Sequence, residues 1–311
     1  MSIVNKFTFL FILLAFVVVL FIFKKEAIIS SKSQHPIQQT FHQMTSNSHF
    51  NQPASKKIIL KSLIDIYKGY DGVYGFYHWL EYADRYEYHL KLLLSQFSKT
   101  QTVKMLEIGV LYGGSVEVWK EYFSQRHPLY YVGMDRNKDC KRTEDANRGI
   151  FIEIGSQASV KDLLVVCKKH GPFDFIIDDG GHTYDMMRVS YETLFTSDLC
   201  MTRNSLYVIE DMHTMVSKKF GKNPFDISTI PAELFRKMHY YWYTGEKFKN
   251  QLWDAEITDQ DKKWADTVKS ISLYDSMMFV HRGKGTGPLT VIRKGQIWSF
   301  KNETMPKVKR L

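Results

Sequence analysis

The sequence predicts an α/β domain on a mostly parallel sheet of seven strands, with an antiparallel strand pair near the C-terminus and one transmembrane helix ahead of it. Three observations predict this. Short apolar runs alternate with amphipathic segments from Leu80 to Val280, the pattern of strands joined by helical crossovers. Five of those runs end on polar or acidic residues, and an uncharged apolar run fills Phe7–Phe23.

In chain order, the run FTFLFILLAFVVVLFIF comes first, flanked by Lys6 on one side and Lys24 and Lys25 on the other. Its roughly seventeen residues would span about 26 Å as a helix, slightly short of a ~30 Å hydrocarbon core. The run ends without the small-residue cleavage site of a signal peptide, so it reads as a signal anchor. The short span favours an early secretory membrane. The expected layout is a cytosolic tail and anchor over residues 1–25, a flexible lumenal stem over 26–57, and the catalytic domain over 58–311. That is a single-pass type II Golgi membrane protein with a lumenal domain. The stem is rich in Ser, Gln, Asn and His and lacks the apolar content to offset chain entropy. Asn302-Glu303-Thr304 is a glycosylation sequon in keeping with a lumenal domain.

The domain reads as a helix over Leu80–Phe97, then a strand over Val103–Gly109 and a glycine turn into a helix ending near Phe123. Strands follow at Tyr130–Asp135, Ile150–Ile154, Phe173–Asp178 and Leu206–Glu210. Helices at about Ser159–Lys169 and His182–Phe195 separate the later ones. Ser270–Tyr274 and Met277–His281 read as a tight antiparallel pair. The polar residues that close the first five strands are Glu107, Asp135, Gln157, Asp178, Asp179, Glu210 and Asp211. In an open α/β sheet that edge is where ligands bind.

Other classes are disfavoured. The formal net charge is +9, but no basic stripe interleaves with aromatics, so no nucleic-acid partner is expected. The three cysteines, Cys140, Cys167 and Cys200, have neither zinc spacing nor a framework pattern, and a single bridge stays open. Gly109-x-x-x-Gly113-Gly114 lacks the G-x-G-x-x-G spacing of a dinucleotide site. Asp135 is placed to accept hydrogen bonds from a ribose, or else to cap the next turn.

LEIGVLYGGSVEVW, YVGMD, IGSQAS, IIDDGGHTYD and VIEDMH together resemble the class I S-adenosylmethionine-dependent methyltransferases. More narrowly, they resemble the metal-dependent macrocin and mycinamicin sugar O-methyltransferases and the cephalosporin-hydroxylase-like group. The resemblance covers roughly Leu80 to Val280 and implies a Rossmann-like fold with two cofactors, S-adenosylmethionine and Mg²⁺ or Mn²⁺. It implies that Glu107, Gly109 and Gly113 meet the methionine end, Asp135 the ribose, and Ser156 and Gln157 the adenine. Tyr112, Ser115 and Asp178 complete the expected cofactor set. It further implies that Asp179, Glu210 and Asp211 hold the metal and that His182 is the general base.

The residue types fit this chemistry. Three converging carboxylates repel one another unless a cation joins them, and carboxylate oxygens suit Mg²⁺. A neutral imidazole suits removal of a hydroxyl proton near pH 7. Sequence alone leaves several points open. Asp178 and Asp179 are not separable, His182 could cap its helix, and His213 is a second candidate base. The Gly-Gly pairs at 113–114 and 180–181 could only relieve the backbone. The cluster Tyr240, Tyr241, Trp242 and Tyr243 fits a sugar-binding wall or a core equally. The expected partner is a glycan or glycoconjugate acceptor, with homo-oligomerisation open. A small-molecule, catechol-type O-methyltransferase on the cytosolic face and a non-catalytic sugar- or nucleoside-binding module are the alternatives.

Overall fold

A computed structural model of the chain describes residues 60–220, 227–241, 258–285, 290–293 and 296–299. All lie in one compact unit, Ile58–Leu311. The anchor run, the stem, the sequon, Trp242 and Tyr243 fall outside the described residues. Among the described residues, no helix is long and apolar enough to cross a membrane.

Seven strands form the main sheet: β1 (Val103–Ile108), β2 (Leu129–Asp135), β3 (Ile150–Ile154), β4 (Phe173–Asp178), β5 (Met201–Ile209), β6 (Val268–Tyr274) and β7 (Met277–Arg282). Their order is β3-β2-β1-β4-β5-β7-β6. The first five are parallel, and β7 runs antiparallel to both β5 and β6. A separate pair, β8 (Thr290–Arg293) and β9 (Gln296–Ser299), follows.

The order reverses between β1 and β4, so the carboxyl ends of these two strands open a crevice, the usual ligand position in such sheets. Strand alternation divides the core between the two faces of the sheet. Met105, Phe175 and Ile177 pack with α1 (Leu63–Gly69), α2 (Leu80–Leu94) and α3 (Gly114–Ser124) on one face. Leu106, Ile108 and Ile176 pack on the other with α4 (Val160–His170), α5 (Tyr184–Leu194), α6 (Thr229–Met238) and α7 (Asp259–Thr267). Both faces are covered, which is why the parallel strands read as near-continuous apolar runs.

The expected elements form, with shifts that have local causes. α2 stops at Leu94 rather than Phe97. β5 starts at Met201, earlier than its apolar run, because Thr202, Arg203 and Asn204 lie on its more exposed beginning. α5 begins at Tyr184, since the Thr183 hydroxyl accepts from the Met186 N–H and caps it. His182 therefore precedes the helix and does not cap it. Its backbone is left-handed, with φ 56°.

Cys167 at the end of α4 and Cys200 just before β5 form a disulfide, which the sequence had left open, and Cys140 is free and buried.

Gly109 sits where the β1 turn meets the β4 turn. Its φ is +96°, and a Cβ there would overlap the carbonyl of Asp179, whose own N–H bonds to Ile108 O at 2.9 Å. Neither strain nor overlap is relieved by a side-chain movement, because the obstacle is backbone. Gly109→Ala is therefore expected to destabilise the domain by roughly 3 kcal/mol or more, read as a lowered denaturation midpoint. An unchanged midpoint would mean the two turns separate freely.

Candidate active site at the carboxyl edge of the sheet

Glu107 is fully buried on the α2 side of β1. The Tyr131 hydroxyl donates to one of its oxygens, while Oε1 has no partner. Burial pushes this carboxyl up to about 7 despite that bond. The turn after it carries Leu111 at φ 49° and Gly113 at φ 91°, where a side chain would strike Thr143. Tyr112 is half exposed, whereas Ser115 in the first turn of α3 is buried beside Glu107 and Tyr131.

Asp135 takes up the turn-bracing role weighed above. Its Oδ2 accepts the N–H groups of Val110 and Leu111 at 2.9 and 2.8 Å, and its Oδ1 accepts that of Asn137 at 2.8 Å. Ser156 closes its own turn, its N–H bonded to Asp162 Oδ2 and its hydroxyl accepting from Ala158 N–H.

Asp178 and Asp179, inseparable in sequence, have different surroundings. Asp178 continues the β4 alternation onto the α5 face and is 1% exposed. There it accepts from Ser190, from Tyr207 at 3.0 Å and from Gln157. Gln157 spends its remaining groups on Ser190 and on the Gly181 N–H, at 3.2 and 2.7 Å. Asp178 and Gln157, both expected in the cofactor site, thus form an internal brace with Ser190, Tyr207 and the Gly181 N–H. Burial, outweighing those bonds, still pushes Asp178 up to about 7.

Asp179 lies in the crevice. Burial first, then the charges of Glu210 and Asp211, hold its carboxyl well above the usual carboxylate range. His182 Nε2 is 4.0 Å from Asp179 Oδ1, and His182 Nδ1 is buried without a partner. Burial pulls this imidazole below its ordinary value, although Asp211 and Glu210 oppose that. Glu210, 2% exposed, accepts from the Tyr86 hydroxyl. Asp211, with φ 52°, accepts from Trp79 Nε1 at 3.2 Å and the Tyr82 hydroxyl at 2.8 Å on one oxygen. His213 is exposed and turned to Ser276 Oγ through Nδ1, outside the carboxylate group.

His78 was not anticipated as a site residue. Its side chain is 4% exposed, with Nδ1 3.4 Å from Glu210 Oε2 and Nε2 4.0 Å from Asp179 Oδ2. The segment Asp71–His78 only loosely resembles the substrate-side entry of the bacterial enzymes, and the residues that close this side of the crevice are remote in sequence, Trp79 lying 132 positions from Asp211 and Tyr86 lying 124 from Glu210.

The donor set fits a divalent cation. Two groups of ligand atoms, His78–Asp179–Glu210 and Asp179–His182–Asp211, each lie within 4.8 Å of one another and share Asp179. Buried carboxylates facing unpartnered imidazole nitrogens are costly unless an ion joins them.

The strand order and this carboxyl-edge site define the class I S-adenosylmethionine-dependent methyltransferase fold. No family model matches the chain. It is similar to the 8-demethyl-8-(2-methoxy-alpha-L-rhamnosyl)-tetracenomycin-C 3'-O-methyltransferase of Streptomyces olivaceus, 32% identical over 48% of this chain and 36% of the relative. The mycinamicin VI 2''-O-methyltransferase of Micromonospora griseorubida is 34% identical over 48% of this chain and 35% of the relative. The matches thus span only about a third of the length of these curated relatives. Among solved structures, the MycE methyltransferase in complex with Mg, SAH and mycinamycin VI is similar with a TM-score of 0.53 and 25% identity. That likeness covers 72% of this chain and 55% of MycE.

Proposed function

We propose that this chain is a metal-dependent O-methyltransferase that methylates a sugar hydroxyl of a glycan or glycoconjugate in the lumen of the secretory pathway. The observation that carries the reading is the meeting of Asp179, Glu210, Asp211 and His182 in one crevice of a methyltransferase fold. Sequence kinship to enzymes named for methylating rhamnosyl and mycinamicin sugars supports the acceptor class.

When bound, S-adenosylmethionine supplies the methyl group and a divalent ion supplies positive charge beside the acceptor hydroxyl. Asp179, Glu210 and Asp211 would hold that ion. The unpartnered Oε1 of Glu107 is free to accept from the ammonium of the methionine moiety. Gly109 and Gly113 let the turn backbone come close to that end of the ligand. Asp135 keeps an acceptor position for a ribose while bracing the turn.

His182 takes the hydroxyl proton at Nε2, the nitrogen on the Asp179 side, and its lowered pKa keeps it neutral and ready. Tyr77, Trp79 and Tyr112 expose 72%, 57% and 46% of their surface, and Trp79 is tied by its indole to Asp211. Such flat faces suit the apolar side of a sugar ring. Of the Tyr240–Tyr243 cluster, Tyr241 donates to Asp266.

The lumenal, Golgi-membrane part of the proposal rests on the uncharged run Phe7–Phe23 and on the Cys167–Cys200 disulfide. Disulfides persist in oxidising compartments. Mass spectrometry of glycans from cells that otherwise lack methylated sugars tests the whole reading. Expression of the chain is expected to add one methylene mass per methyl transferred, and Asp179→Ala is expected to add none. Unmodified glycans, alongside confirmed cofactor binding by the purified protein, would reject the glycan acceptor.

A further inference from the structure

Each buried histidine shows what a structural imidazole looks like in this fold, and His78 differs from all of them. His89 Nδ1 and His281 Nε2 pair at 2.8 Å, and Tyr274 occupies the other nitrogen of His89. His170 lies between the Tyr130 hydroxyl at 2.8 Å and Glu153 Oε1 at 2.9 Å. His127 has an unpartnered Nδ1 and packs edge-on against Phe97. His78 combines a buried, unpartnered Nδ1 with two nearby carboxylates, Glu210 on the Nδ1 side and Asp179 on the Nε2 side, and His182 shares the unpartnered Nδ1 and the approach to Asp179.

The ring is held firmly. It stacks on Phe76 at 4.9 Å and lies 5.9 Å from the Tyr67 ring, so it is fixed by packing before any ligand arrives. The 3.4 Å between Nδ1 and Glu210 Oε2 lacks hydrogen-bond geometry. Two ligands each ~2.1 Å from one ion stand ~3 Å apart at right angles and ~4 Å apart when opposed. One nitrogen of His78 and one oxygen each of Asp179 and Glu210 lie within 4.8 Å of one another, close to that window.

We propose that His78 is a nitrogen ligand of the divalent ion, completing a centre with Asp179 and Glu210 that favours a first-row transition ion such as Mn²⁺ over Mg²⁺. The inference rests on reading the crevice as a metal centre. Mg²⁺ is bound chiefly through oxygen, whereas an imidazole nitrogen raises affinity along the transition series. His78 also ties the metal to the segment ahead of α2, which lies outside the β-sheet framework. The remaining group, Asp179–His182–Asp211, leaves His182 on the acceptor side.

The test uses the full chain in detergent, stripped of metal and titrated with Mn²⁺, with Mg²⁺ as competitor. Pulsed EPR on the Mn²⁺-loaded protein reads ¹⁴N coupling directly, without reference to turnover. The expected result is a ¹⁴N signal that survives His182→Gln and vanishes in His78→Gln. Mn²⁺ affinity should drop by about tenfold or more in His78→Gln, and the parent should prefer Mn²⁺ to Mg²⁺ by a similar factor. Cofactor binding by calorimetry serves as the folding control, and the His182→Gln arm decides the matter even if His78→Gln does not fold.

Mn²⁺ binding without ¹⁴N coupling, or coupling lost in His182→Gln, would overturn the role of His78 and leave the metal centre standing. Failure of both Mn²⁺ and Mg²⁺ to bind would overturn the metal centre itself and His78 with it.

Discussion

Asp179→Asn is expected to lower turnover by roughly a thousandfold or more, equivalent to ~4 kcal/mol, together with a loss of divalent-ion affinity. The substitution keeps size and leaves the backbone bond from Asp179 N–H to Ile108 O in place. What it removes is the charge shared by both ligand groups of the crevice. A second readout separates this from structural damage. In the metal-free parent, burial and then the charges of Glu210 and Asp211 hold the Asp179 carboxyl far above its usual range. A carboxyl whose pKa is raised on folding costs stability above its unfolded pKa. The neutral amide relieves that cost, so the metal-free variant should melt at the same temperature as the parent or higher. A melting temperature well below that of the parent would assign Asp179 to the scaffold instead.

His182→Ala is expected to reduce kcat by about 10²- to 10⁴-fold, the range for loss of a general base, with cofactor and metal affinities little changed. The pH profile sharpens this result. The working form is neutral imidazole, and burial lowers its pKa from the ordinary value of 6.5. Parent kcat should therefore be flat above that range and fall only as pH drops through the lowered pKa. The acid limb should vanish in the variant. His213→Ala should leave kcat near that of the parent, because Nδ1 of His213 is engaged with Ser276 away from the carboxylates. Full turnover in His182→Ala would remove the base assignment and make His213 the next residue to test.

Much of this was legible in the sequence because parallel strands covered on both faces are written as apolar runs, and their polar ends mark one edge of the sheet. The glycine turn, the acid-ended strands and the DDGGH and IED segments needed no knowledge of distant contacts. What stayed hidden depends on side-chain direction or on the meeting of remote segments. Asp178 and Asp179 are neighbours, yet strand alternation sends Asp178 toward Ser190 and leaves Asp179 at the crevice. The family resemblance puts Gln157 beside the adenine, and no sequence pattern shows that its amide bonds to Asp178, Ser190 and the Gly181 N–H. Half of β5 was masked by polar residues on its exposed beginning. His78, Trp79, Tyr82 and Tyr86 gain their roles only when the chain ahead of β1 is laid against the end of β5.

Gly109 comes so close to the Asp179 carbonyl that a Cβ would overlap it, which sets the glycine turn after β1 against the turn that carries Asp179. With no side chain between them, the two turns meet backbone to backbone, and the Asp179 N–H bonds to Ile108 O. On the proposed assignment, cofactor at one turn and cation at the other are expected to alter each other's affinity. By reciprocity, whatever factor the first ligand adds to the affinity of the second is returned in equal measure. Cofactor affinity measured with and without the divalent ion checks this expectation, and equal affinities would show the two turns to be independent.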